Sequence, residues 1–118
     1  MQINSVINGQ VSPAGGNELE LVDPSTGEVF AGAPIATPTD VDRAVGAARE
    51  AFRGWRDSTP GERQLAILKI ADLIEANADE LVRLESQNTG KPIAVTHAEE
   101  IPPMVDQVRF FAGAARVL

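Results

Sequence analysis

The stretch from Thr59 to Pro92 constrains the fold of this chain more than any other, because it carries its own start and stop signals. Thr59-Pro60-Gly61-Glu62 puts a Thr at the N-cap, a Pro at the first helical position and a carboxylate three residues on. Each of these deals with N–H groups that a helix start otherwise leaves unpaired. Ile67, Ile70, Ala71, Ile74, Ala78 and Leu81 then recur at steps of three and four, the stripe of an amphipathic helix. Asn77 followed by Glu80 is a second, weaker capping signal, so a break or bend is expected near Asn77. Gly90 closes the run as a C-terminal cap, and Pro92 prevents its continuation.

The same start signal occurs upstream as Thr37-Pro38-Thr39-Asp40. Asp replaces the usual Glu or Gln there, which predicts a less secure return bond to the cap amide. The helix it opens places Val41, Ala44, Val45, Ala48, Phe52 and Trp55 on one stripe, with Arg43, Arg49, Glu50 and Arg53 on other faces. Trp55 is expected to bury its ring and to need a partner for its N–H.

Before Thr37 the period is that of strands and turns. Val6-Ile7-Asn8-Gly9-Gln10 is a short apolar segment entering an Asn-Gly turn, and Pro13 to Asn17 reads as a loop. Leu19 and Leu21 alternate with Glu18 and Glu20 as in a half-buried strand. Asp23-Pro24-Ser25-Thr26-Gly27 supplies a turn. Glu28 to Ile35 runs back as a second strand, with Pro34 at an edge or a strand end. The expectation is an α/β chain, with strands and turns over 1–36, including a front β-hairpin, and helices over 37–118.

A last helix is expected to carry Pro102-Pro103 in its first turn and to run through Arg116. Met104, Val105, Val108, Phe111, Ala112 and Ala115 form its apolar stripe. A helix this apolar up to Leu118 normally packs on something further along, so the sequence reads as truncated.

The 118 residues carry a formal charge of −7, and eight Arg and two Lys are scattered among acids rather than gathered on one face. That argues against nucleic acid, which needs a cationic surface. No apolar run approaches the roughly 18 residues of a membrane span, and Met1 to Gln10 does not read as a signal peptide. The expected setting is the cytoplasm.

The chain has no Cys and one His, so it offers no thiolate nucleophile, no Cys-based zinc site and no His-based triad. His97 reads as an exposed or helix-start histidine. Glu99-Glu100 is a carboxylate pair, but adjacent residues point in different directions. An acidic start to the following helix, complementing its dipole, is the simpler reading. Asn88-Thr89-Gly90-Lys91-Pro92 contains Gly-Lys, yet a helix precedes it, Glu85 stands where a phosphate loop has its first Gly, and Pro92 follows Lys91. No G-x-G-x-x-G stands at a strand–helix junction.

In order along the chain, Ile7-Asn8-Gly9, Val22-Asp23-Pro24-Ser25-Thr26-Gly27-Glu28, Asp40 to Phe52 with Trp55, Glu62-Arg63, Leu73-Ile74-Glu75, Leu84-Glu85, Thr89-Gly90-Lys91-Pro92 and Arg109-Phe110-Phe111-Ala112-Gly113 resemble the beginning of an NAD(P)+-dependent aldehyde dehydrogenase. The resemblance implies a larger Rossmann-type fold that converts a small-molecule aldehyde to a carboxylic acid with NAD or NADP, as a homo-oligomer when full length. In that family a cysteine thiolate attacks the carbonyl, hydride passes to nicotinamide, and a glutamate activates water against the thioester. Those residues and most cofactor contacts are expected beyond Leu118. This chain would therefore supply scaffold and no catalytic or cofactor-binding residue.

Glu99 to Met104 ahead of Arg109-Phe110-Phe111 looks like the aminobutyraldehyde and betaine aldehyde group, which implies Glu100 as a substrate contact. The resemblance further implies a structural K+ or Na+ held by Leu21, Val22 and Asn88. Asn88 replaces the family's usual Asp, and its amide oxygen can ligate a hard cation without carrying charge. Two other readings stay open: Asn88 as a helix-end residue bonding locally, and the whole chain as a non-catalytic helical interaction module.

Overall fold

The computed structural model describes residues 3–12 and 16–117, in two compact units, 1–56 and 57–118. Met1, Gln2, the Pro13–Gly15 part of the expected loop, and Leu118 lie outside the described residues. Among the described residues no helix is long and apolar enough to cross a membrane.

The first unit holds two antiparallel hairpins and one helix. Strands β1 (Ser5–Ile7) and β2 (Gln10–Ser12) pair with Ile7 opposite Gln10. Asn8 and Gly9 lie between them with φ of 54° and 72°. Positive φ at both central residues is the geometry of a type I′ turn, whose twist matches that of the strands it joins. The expected turn is therefore present, and it closes a hairpin of its own that strand patterning over so few residues did not suggest.

The second hairpin pairs β3 (Glu18–Val22) with β4 (Val29–Pro34). Its turn is held by Asp23, whose carboxylate accepts from the Ser25 amide at 2.8 Å and the Ser25 hydroxyl at 2.6 Å. Leu21 faces Ala31 but Val22 faces Val29, so Phe30 is inserted as a bulge. Leu19, expected to be half-buried, is exposed; Ala31 is the one buried hydrophobic residue among those described in this unit.

Helix α1 (Pro38–Arg56) starts where its capping signal places it. The Asp40 carboxylate accepts from the Thr37 amide at 2.9 Å and the Thr37 hydroxyl at 2.7 Å, and the Asp40 amide returns to Thr37 Oγ1 at 3.3 Å. The return bond expected to be insecure is made, and Asp40 is buried. Asp is short enough to lie flat over the helix end, where burial holds it. The apolar stripe goes the other way. Val41, Val45, Phe52 and Trp55 are all exposed, Trp55 at 46%, so the expected burial of its ring does not occur within this chain.

The second unit is helical: α2 (Pro60–Ala76), α3 (Ala78–Thr89), α4 (Ile93–Glu99) and α5 (Ile101–Ala114). Thr59 and Glu62 complete a capping box, with the Thr59 amide donating to Glu62 at 2.7 Å. The break falls at Asn77 as expected, but not through N-capping. The Asn77 side-chain amide donates backwards to the Leu73 carbonyl at 2.7 Å and terminates α2 instead. Beyond the bend the buried position moves from Leu81, which is exposed, to Val82, while in α2 Ala71 is buried and Ile70 exposed. Gly90 ends α3 at φ 77°, its amide donating to the Ser86 carbonyl at 2.8 Å.

Helix α4, unsuspected from the sequence, fills the interval that Pro92 opens. Helix α5 begins at Ile101 with the two prolines in its first turn and ends at Ala114, short of Arg116. It packs chiefly on α2. Ala71, Val82, Ile101 and Val105 form the core, with Ile74, Ala78 and Val108 against it. Met104 and Phe111, expected in the same stripe, are exposed.

Candidate functional site

The two longest-signalled helix starts are electrically closed. An N-terminus is a ready anion site when its amides are free and its dipole unopposed. Here Asp40 and Glu62 are the anions, each bonded to its own cap residue. The Glu62 carboxyl is held below its ordinary value of 4.5, first by the Thr59 amide and then by the Thr59 hydroxyl. A nucleotide phosphate would meet a carboxylate at either end, so neither fits NAD or NADP.

The residues named as cation ligands fall on different units. Leu21 and Val22 lie at the end of β3, and Asn88 in the last turn of α3. Local bonding at that helix end is done by the neighbours of Asn88. Thr89 Oγ1 donates to the Glu85 carbonyl at 2.8 Å, and the Gly90 amide takes Ser86. The Asn88 side chain is exposed and makes no hydrogen bond among the described residues, which leaves its amide oxygen open. Among the described residues no three His, Asp or Glu side chains gather as a metal site.

Glu100 stands at the junction between α4 and α5 without capping α5 through its side chain. Its carboxylate accepts a hydrogen bond from Lys91 Nζ. That contact, more than any other, holds the Lys91 ammonium above its ordinary value of 10.5. Neither the dipole reading nor the substrate reading anticipated Lys91. The signal was present, since Lys91 and Glu100 flank an interval of helix-forming length. Glu99 is the last residue of α4, and it does not join Glu100 at a shared site.

His97 is exposed, as expected, but in the last turn of α4 rather than at a helix start. Its Nε2 lies 3.4 Å from the Asp79 carboxylate. Both line an open cavity of about 650 Å³ with Glu75, Ile101, Asp106 and Arg109. Arg109 is already committed: it donates to Glu75 at 2.7 Å and to Asp72 at 3.0 Å, which tie α5 to α2 and raise its pKa. The cavity wall carries no thiol or hydroxyl, its guanidinium is paired to two carboxylates, and its imidazole lies beside a third.

Comparison with known proteins places this architecture. Residues 11–118 match the model of the aldehyde dehydrogenase family. Over 114 residues the chain is 37% identical to the 2-aminomuconic semialdehyde dehydrogenase of Bos taurus, covering 97% of this chain and 23% of that protein. Over 116 residues it is 37% identical to a long-chain-aldehyde dehydrogenase of Acinetobacter, covering 98% and 23%. An NAD+ complex of aldehyde dehydrogenase from Bacillus cereus superimposes with a TM-score of 0.90 at 40% identity, covering 96% of this chain and 24% of that one. The chain thus spans about a quarter of the length of the relatives it matches. With the family model matched over nearly all of its length and the backbone superimposing as closely, this chain belongs to the aldehyde dehydrogenase family.

Proposed function

We propose that this chain is the N-terminal scaffold, residues 1–118, of an enzyme that oxidises an aldehyde to a carboxylic acid with NAD+ or NADP+, and that it is inactive by itself. The observation that carries the reading is a family match over 11–118 in a chain without a single cysteine. The reaction needs a thiolate to form the thioester intermediate, and no side chain here can replace it. When bound, the nicotinamide cofactor would accept hydride. The residues of this chain contribute helices and hairpins beside it rather than contacts to its phosphates, since Asp40 and Glu62 occupy the helix ends that could take them.

Three finer points belong to the same reading. An aminoaldehyde substrate is supported by the resemblance of Glu99 to Met104 to the aminobutyraldehyde and betaine aldehyde group, with Glu100 as the contact. The Lys91 partner reduces the pull of Glu100 on a cationic amine, so any preference it confers is small. A K+ or Na+ at the Leu21 and Val22 carbonyls and Asn88 is supported by the open Asn88 amide. A homo-oligomer is what the family resemblance implies, and a cytoplasmic setting is proposed with it.

The test is aldehyde-dependent formation of NADH or NADPH by the purified 118-residue chain, with uncharged and amine-bearing aldehydes. No turnover is expected with any of them. Turnover above the uncatalysed rate would defeat the scaffold reading. The interaction-module alternative is favoured by the exposed stripe of Val41, Val45, Phe52 and Trp55. It requires the chain to retain a heterologous protein partner in a form that contains no dehydrogenase.

A further inference from the structure

Helix α4 differs from every other helix of its unit in what holds it. At seven residues it is about half the length at which an isolated helix becomes even marginal in water. Its N-cap is Pro92, with no side-chain cap bond, and it buries one residue, the polar Thr96. Thr96 Oγ1 is satisfied by the Pro92 carbonyl inside the same turn. By contrast α2, α3 and α5 meet in the core at Ala71, Val82, Ile101 and Val105. The helicity of α4 therefore depends on the groups that pin its two ends.

Those groups are Lys91 and Glu100. Glu100 directly follows α4 and Lys91 precedes its cap Pro92, and their hydrogen bond closes the segment into a loop fastened at its neck. Both are about two-thirds shielded from water, so the pair is screened less than an ordinary surface pair. The other polar side-chain contact of α4, His97 Nε2 with Asp79 at 3.4 Å, involves an Asp79 side chain 98% exposed and adds little. Cavities line both flanks of the segment. Thr96 and Glu100 border one of about 370 Å³ with Val82 and Met104, and His97 and Ala98 border the 650 Å³ cavity. Ile101 lies on the wall of both.

We propose that Lys91 and Glu100 form a latch, and that α4 with its flanking residues opens as one local unit when the latch is released. Local opening draws on the segments with the fewest buried apolar contacts, and α4 buries no apolar residue of its own. Opening moves the wall between the two cavities while α2 and α5 stay packed.

The test is amide hydrogen exchange on the full chain, read at Thr96 and Glu100, whose amides donate within α4 to Pro92 and Thr96. Ile74 in α2 and Val108 in α5 serve as references. Lys91→Met and Glu100→Gln are each expected to speed exchange at Thr96 and Glu100 about fivefold, the upper range for one ion pair, with the references unchanged. The exchanged pair Lys91→Glu with Glu100→Lys is expected to restore much of the protection. On the unsubstituted chain, raising salt should produce the same selective acceleration, which decides the matter should a variant fail to fold. Wild-type exchange rates in α4 after either substitution, or equal acceleration in α2 and α5, would overturn the latch.

Discussion

Helices α1 and α2 open on the same Thr-Pro signal, and the units that hold them differ in what their apolar residues do. In the first, α1 has a clean stripe and secure caps, yet Phe52 is 57% exposed and Ala31 alone is a buried hydrophobic among the described residues. In the second, α2 is apolar on several faces, and it still buries Ala71 fully, together with Val82 of α3 and Val105 and Ala112 of α5. The difference is the partner. Helix α5 returns along α2 within the same unit, whereas in its own unit α1 meets chiefly the short strand β1, near Ala44 and Ala48, and its larger stripe residues stay exposed. An amphipathic pattern therefore predicts a helix, and it predicts burial only where the chain supplies an opposite face.

The largest test of that contrast is truncation on either side of it. Ile101→Ala should cost about 2–5 kcal/mol, read from urea midpoints, because Ile101 is in the core of the second unit. Phe52→Ala, a larger deletion on an exposed face, should fall within about 0.5 kcal/mol. Comparable losses at the two sites would erase the distinction. Next come the two capping boxes. Asp40→Ala should cost about 1–3 kcal/mol, because it removes the partner of two donors at a buried position. Thr59→Ala removes a more exposed cap and should cost about 1 kcal/mol, and a reversed order would contradict the burial of Asp40.

A pH titration separates the boxes further. Glu62 is held below 4.5 in the folded chain, so its contribution is fully present above that value and disappears as pH falls through the lower folded one. Helical circular dichroism and exchange at the first turn of α2 should show fraying there as pH falls below 4.5, and Glu62→Gln should remove the pH dependence. The smallest effect is expected at Arg109→Met. Its pairs with Asp72 and Glu75 are exposed, and their loss should move the urea midpoint least of all these changes, and less still at high salt.

Local chemistry was the legible part of the sequence. Thr59 with Glu62, Asn8 with Gly9, Gly90 and the prolines each act on neighbours within four residues, and each appears where its residue type demands. The break at Asn77 was visible, but its consequence was not. The side chain bonds back to Leu73 instead of forward, and the phase of the stripe then moves from Leu81 to Val82. Helix α4 escaped because seven residues carry too little periodicity to register. The Lys91–Glu100 pair escaped because it depends on that helix bringing its ends together. The site readings drawn from resemblance stand on a different footing: Glu100 has a partner within the chain, and Asn88 retains an open amide.

The central claim is that these residues are aldehyde dehydrogenase architecture without aldehyde dehydrogenase chemistry. The direct measurement is a replacement in the Bacillus cereus enzyme, whose matching segment is exchanged for residues 1–118 of this chain. Aldehyde-dependent NAD+ reduction by the chimera is compared with the segment-deleted enzyme and with the chain alone. A folded chimera with readily measured activity is expected, and none from either of the other two. A folded chimera without activity, or turnover by the 118 residues alone, would contradict it.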